Sequence, residues 1–314
     1  MIGRAVVVVA AAAALAFPLF GGEGYFTHIA IIVCIFSILA SSLNLLMGYT
    51  GLVSIAHAAF FGVGGYTSGI LAVKLGVPFW LALPAAAGVA AVVALGAGLP
   101  SFRTRGVYYI IVTVALQLIA SEVFDNWDRM TGGGLGLKGI PRPGPPFATK
   151  VGYYYLALAG AVLAQLTVAR IVRSPIGLAL MAMRDNETKA LMLGASPLRF
   201  KVFAFVTASA LAGLAGSLYV HYLEFAHPEF FNFAVSVDLF VAVMLGGAGT
   251  LWGPIIGVVI LEAMREILHG LVALRLLIFG VLLIVLILFL PEGVLPPLTR
   301  WMRRRRRGPT APTA

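Results

Sequence analysis

Chemistry is scarce in this chain. It has one cysteine in 314 residues, and only 11% of its residues are charged. Cys34 lies inside an apolar run, so no disulfide can close within the chain. No G-x-x-x-x-G-K-[ST] occurs, nor any Gly-Lys dipeptide, so there is no loop of its own to cradle nucleotide phosphates. The five histidines, His28, His57, His221, His227 and His269, have no partners four residues away and form no metal-ligand cluster. No G-x-S-x-G elbow offers a nucleophile. Catalysis, metal chemistry and autonomous ATP hydrolysis are all disfavoured.

Apolar surface is what the chain has in abundance. Hydrophobic residues make up 61%, and the mean hydropathy is +1.00. Soluble domains carry about 45–50% apolar and about 25% charged residues. The apolar runs are long and continuous, unlike the alternating segments of roughly ten residues in a transmembrane barrel. The fold class is therefore all-α, a polytopic helical bundle. Spans are expected near 5–20, 28–47, 52–73, 79–99, 106–124, 153–172, 201–222, 237–248, 254–268 and 273–290. The first is short. Arg4 precedes it and Ala14-Leu15-Ala16 resembles a cleavage site, so a signal peptide competes with a retained span there.

Positive charge orients the bundle. With the N-terminus inside, the inner segments hold Arg4, Arg103, Arg105, Arg170, Arg173, Arg184, Lys189, Arg199, Lys201, Arg300 and Arg303 to Arg307, fifteen of the 22 lysines and arginines. Both termini are then cytoplasmic. The net charge of +10 reads as topology, with the basic tail 300–314 anchored to anionic lipid and no nucleic acid involved.

Two glycine-rich interruptions stand out, Gly48-Tyr49-Thr50-Gly51 and Gly246 to Gly253. Broken helices at membrane depth survive only where protein or a water-filled cavity covers the freed backbone, and such breaks often line a pathway. Residues 237–268 are either two short spans or a re-entrant hairpin, which leaves about ten spans, or eight plus a re-entrant pair. Small residues at helical spacing, such as Ser209 and Gly213 or Ala212 and Gly216, allow close helix packing. Polar residues within the spans are few: Asn44, Ser54, His57, Gln117, Glu122, Gln165 and Glu262. A proton-coupled carrier places more ionisable groups in its interior. Flanking the first interruption, Asn44, Ser54, His57 and Tyr66 are the candidate translocation-path residues. The outer loop 125–152, rich in glycine and proline, reads as irregular and water-facing.

The most telling polar stretch runs from Arg184 to Pro197. Asp185 or Asn186 caps a helix start, and Glu187 puts negative charge in its first turn. Gly194 suits the left-handed position that ends a helix, and Ser196-Pro197 opens the next one. A short helix is thus presented at the membrane surface between two spans.

Four blocks resemble the inner-membrane permease subunits of bacterial ATP-binding cassette importers for branched-chain amino acids, of the LivM type. They are Ser42 to Tyr66, Thr131-Gly132-Gly133 with Gly139-Ile140-Pro141, Ser174-Pro175-Ile176-Gly177 through Arg184-Asp185-Asn186-Glu187 to Gly216, and Gly246 to Pro254. Permeases for urea and short amides look similar, and an ion-coupled secondary carrier is the rival from another class. The resemblance implies a single permease domain over 1–314, with a cytoplasmic coupling loop at 173–200. It implies two cytoplasmic ATPase subunits, which hold the ATP and magnesium, so this chain carries no cofactor. It also implies a second permease of the H type and a periplasmic substrate-binding protein. The helix near 186–193 is then the coupling element. Ala190, Leu191 and Leu193 are expected in a groove of the ATPase, Arg184, Glu187 and Lys189 at its rim, and Asp185, Asn186 and Gly194 are expected to shape its ends.

Overall fold

A computed structural model describes residues 24–102, 106–192 and 196–267, together with Leu15, Phe17, Gly22, Thr104, Gly280, Val281 and 293–295. Apart from those isolated positions, the spans expected at 5–20 and 273–290 and the basic tail lie outside the described residues.

Helix α1, Tyr25–Asn44, is apolar all round, and a helix of that kind belongs in the middle of a bundle. Ile31, Ile35, Ile38, Leu39 and Leu43 are fully buried. It continues into one π turn, Leu45–Tyr49. The chain then runs through α2 (His57–Leu75), α3 (Phe79–Ser101), α4 (Val107–Asn126), α5 (Lys150–Arg173), and, after two short helices, α8 (Pro197–Leu223). The short helices are α6, Pro175–Asp185, and α7, Glu187–Met192. The described chain closes with α9, Phe233–Gly246, and α10, Gly253–Ile267. Among the described residues, seven segments are long and apolar enough to cross a membrane; the last, Pro228–Gly246, includes α9 and the 3-10 turn before it.

Glycine decides how closely these helices approach. On α8, a Cβ at Gly216 would lie 2.0 Å from the Phe61 carbonyl oxygen of α2. One at Gly64 on α2 would lie 2.2 Å from the Cα of Gly213. Gly213 also faces Ala90 and the Ala86 carbonyl of α3. Helices α2, α3 and α8 thus meet nearly backbone to backbone, as membrane helices do where small residues allow it. Gly65 belongs to the same approach, meeting the Gly216 carbonyl beside Phe231 and Val220, whereas Gly69 faces only the side chains of Ile140 and Leu137.

The outer helices show apolar faces that are exposed among the described residues. Val107, Ile111, Leu118 and Ile119 of α4 are exposed, as are Val162, Leu163 and Leu166 of α5. In water such faces would associate; in a bilayer they meet lipid or another subunit.

Two contacts fix the ends of the bundle. Tyr25 Oη donates to the Glu266 carboxylate at 2.6 Å, so α1 starts where α10 stops. The Val294 amide donates to the Leu245 carbonyl at 2.8 Å, so the chain is back at the opposite end by residue 294. The loop 126–150 lies at the first end, and it is less irregular than expected. Leu137–Lys138 (β1) pairs antiparallel with Phe225–Ala226 (β2), tying the loop to the chain that follows α8. Arg142 and Glu224 add an ion pair at 2.6 Å. The second end carries α6, α7 and the turn between α9 and α10.

One expected span changes. The segment 52–73 is helical only from His57; Gly51 takes φ +75°, and residues 51–56 run non-helical. Within 237–268, which the sequence leaves open between two short spans and a re-entrant hairpin, α9 and α10 pack nearly backbone to backbone. A Cβ at Gly257 would stand 1.8 Å from the Ala242 carbonyl oxygen, and one at Gly246 1.8 Å from that of Gly253.

Candidate functional site at two helix breaks

At the second end the two glycine-rich interruptions meet. Asn44 joins them with both ends of its amide: Nδ2 donates to the Thr250 carbonyl at 2.8 Å, and Oδ1 accepts from the Gly249 amide at 2.8 Å. The contact needs glycine on both sides. A Cβ at Gly48 would lie 2.3 Å from the Gly249 nitrogen, and Gly249 itself has φ +79°. Thr250 accepts from the Gly253 amide at 3.1 Å and so caps the start of α10. The π turn is held by Thr50, whose hydroxyl donates to the Leu45 carbonyl at 2.8 Å. Gln165 of α5 joins from the side, accepting from Ser41 at 3.0 Å and donating to the Leu251 carbonyl.

The start of α2 lies deeper. A helix start leaves amide donors without helical partners, and inside a membrane each needs another acceptor. Side chains from α4 and α9 supply them. Thr113 accepts from Ile55 at 3.2 Å, Ser236 from Ala58 at 3.0 Å, and Gln117 from Ala59 at 2.7 Å. Ser54 accepts from Ala56 at 3.4 Å. Beside them His57 Nε2 meets Ser42 at 2.7 Å, while His57 Nδ1 is buried without a partner.

The loop expected to couple lies against the first knot. Asn186 is extended and its Oδ1 accepts from the Lys189 amide at 2.9 Å, capping α7. Glu187, the first residue of α7, pairs with Lys201 of α8 at 2.9 Å. Arg184, in the last turn of α6, donates to the Gly48 carbonyl, which ties this loop to the π turn.

Residues 25–289 match the family model of the branched-chain amino acid transport system permease component. The chain belongs to this family, and it is of the LivM type. The permease is 32% identical to the high-affinity branched-chain amino acid transport system permease protein LivM of Salmonella typhimurium, over 90% of its own length and 72% of that protein's. The Escherichia coli protein of the same name is 31% identical over the same shares. A probable LivM of Methanocaldococcus jannaschii is 28% identical over 46% of each chain. No solved structure matches.

Of the four candidate path residues, three sit near the breaks of the permease and one does not. Asn44 is in the knot, and Ser54 and His57 are at the start of α2. Tyr66 lies more than two turns further along α2, its ring among Phe124 and Phe231 and its hydroxyl unpartnered. All four are buried. Among the candidate coupling residues, Asp185 ends α6, and Leu193 and Gly194 fall outside the described residues. Two differ from expectation. Ala190 packs inward at 2% exposure, so the apolar surface that α7 presents is Leu191 and Met192, at 58% and 80%. Arg184 spends its guanidinium on the π turn rather than on an outward rim. Gln117, Ser236, Thr250 and Lys201 are site residues that sequence reasoning missed. A glutamine in an apolar span was the one available signal; Ser121, one turn on, takes only one of its donors, and Gln117 reaches Ala59, Phe231 and Ser236 on other segments.

Proposed function

We propose that the permease forms one of the membrane-spanning subunits of an ATP-binding cassette importer for branched-chain or related hydrophobic amino acids, and that α7 is where a cytoplasmic ATPase attaches. The observation that carries this reading is α7 itself. It is a capped, anchored helix between two spans that holds Leu191 and Met192 out to solvent, where a partner's groove can take them. The division of positive charge puts that end in the cytoplasm. The opposite end, with its loop 126–150 tied down by the β1–β2 ladder, faces the periplasm and a substrate-binding protein. Both termini are then cytoplasmic in a single membrane domain. ATP and magnesium sit on two ATPase subunits, and an H-type permease covers part of the exposed apolar surface.

Reporter fusions at residue 140 should read periplasm, and fusions at residue 190 cytoplasm. Leu191→Glu with Met192→Glu should lower the ATPase recovered with the purified permease by roughly tenfold, the effect of charging an apolar anchor. Unchanged recovery, or a periplasmic signal at residue 190, would remove α7 from this role.

Substrate passes, in this reading, beside the breaks, where Asn44, Ser54 and His57 carry the polar atoms and Tyr66 marks the same helix further out. In the present conformation the breaks are shut. Cysteines at Ser54 and His57, on a Cys34→Ala background, should react with a water-soluble thiol reagent only while the complex turns over. If neither reacts while a cysteine at Lys138 does, these residues are packing.

A further inference from the structure

The contact between Arg184 and the π turn goes beyond docking. Guanidinium carries a permanent charge and five donors on a rigid fork. Among the described residues Arg184 has no carboxylate partner; it donates to the Gly48 carbonyl, in the π turn that ends the run of helix begun by α1. Carbonyls there are the negative end of the helix dipole, so a cation is favoured. The rest of the side chain lies against the two breaks. A Cβ at Gly51 would be 3.2 Å from Arg184 Cγ, and one at Gly249 would be 2.7 Å from Nη1 and 3.0 Å from the Gly48 oxygen. One arginine therefore touches the end of α1, the positive-φ turn that leads to α2, and the turn of the α9–α10 hairpin. Asn44 binds the first and third of these to each other.

On its other side, Arg184 is joined to α7 by a short link. It sits in an unbroken helix of 11 residues, α6, and only Asp185 and the extended Asn186 separate it from Glu187. A displacement of α7 has almost no slack to absorb it before it reaches Arg184.

We propose that Arg184 is a positioning residue that transmits the motion of α7 to both helix breaks, holding them shut while its bond to the Gly48 carbonyl stands. The proposal rests on the assignment of α7 to ATPase docking. When the ATPase moves α7, α6 swings, the guanidinium leaves Gly48, and the Asn44 bridge loses the cation that presses the two turns together. Hydrolysis then spends its stroke on the path rather than on the loop alone.

The test uses the complete complex in proteoliposomes, with transport and ATP hydrolysis measured together. Arg184→Gln should raise the ATP hydrolysed per amino acid imported by roughly tenfold, the weight of one charge-assisted hydrogen bond. Arg184→Lys should restore most of the coupling, because one donor serves one carbonyl. A purely structural residue would lower transport and hydrolysis together and leave that ratio alone; such a result, or a wild-type ratio in Arg184→Gln, overturns the proposal. A second arm needs no variant. Amide exchange of the unsubstituted complex, with and without a non-hydrolysable ATP analogue, should change at residues 48–51 and 247–250 whenever it changes at 187–192. A change confined to 187–192 overturns the linkage even if Arg184→Gln fails to assemble. The two readings fail separately. The Leu191→Glu, Met192→Glu variant reports whether α7 docks the ATPase at all, whereas Arg184→Gln should keep the ATPase bound.

Discussion

Gly257→Val will lower the resistance of the permease to unfolding by about 3 kcal/mol. The added Cβ alone would stand 1.8 Å from the Ala242 carbonyl oxygen and 3.0 Å from the Gly246 nitrogen. Both obstacles are backbone atoms of α9, so no rotamer change can make room. The hairpin must open, and opening it disturbs the turn that Asn44 holds and Val258 and Leu261 on the buried side of α10. Overpacking of a fixed core costs about 1–3 kcal/mol, and a clash with backbone belongs at the upper end. Gly88→Ala on α3 is the comparison, since nothing lies within 4 Å of a Cβ there. It should be neutral or slightly stabilising, because alanine favours helix over glycine by about 0.8–1.0 kcal/mol. Denaturation of the purified protein in mixed detergent measures both. Equal midpoints for Gly257→Val and wild type would mean that the hairpin is not closed as described.

The contrast between those two glycines shows which parts of this molecule are local. Long apolar runs placed α1, α3, α4, α5 and α8 within a few residues of their observed bounds, because a span is set by its own composition. The cap of α7 was legible for the same reason: Asn186 and Lys189 are three residues apart. What the sequence could not show depends on distant partners. Leu52, Val53, Ile55 and Ala56 are apolar and read as helix, yet the helix waits until His57. The acceptors that make the delay tolerable, Thr113, Gln117 and Ser236, come from other helices. Nothing near residues 237–268 shows how the turn between α9 and α10 is held, because it is closed on Asn44, some two hundred positions earlier in the chain. Arg184 was read as a rim residue from its position in a polar loop, and its acceptor is 136 residues away. Sequence alone does not show which way Ala190 faces, because the Glu187–Lys201 pair that ties α7 to α8 joins residues fourteen positions apart.

That ion pair carries the second large effect. Lys201 is 8% exposed and sits one turn into α8, so its ammonium depends on Glu187 for neutralisation. Glu187→Lys removes the acceptor, puts two cations face to face and reverses the charge favoured in the first turn of α7. A buried ion left without its partner destabilises strongly; with the Glu187 side chain one-third exposed, the cost should be about 1–3 kcal/mol. It falls on the contact between α7 and α8 rather than on the bundle. The expected result is a complex that still assembles and whose binding protein still binds amino acid. Its ATP hydrolysis should no longer respond to loaded binding protein, and import should fall by roughly tenfold or more. Exchanging the charges, Glu187→Lys with Lys201→Glu, should recover a substantial part of the import, because the pair is remade across the same 2.9 Å gap. An ammonium at the start of α7 opposes the dipole of that helix, while a carboxylate one turn into α8 suits the dipole there, so recovery should fall short by no more than about 0.3–1 kcal/mol. Stimulated hydrolysis in reconstituted membranes reads both variants. If Glu187→Lys alone responds to loaded binding protein as wild type does, the orientation of α7 does not depend on this pair, and the tie from α7 to α8 plays no part in coupling.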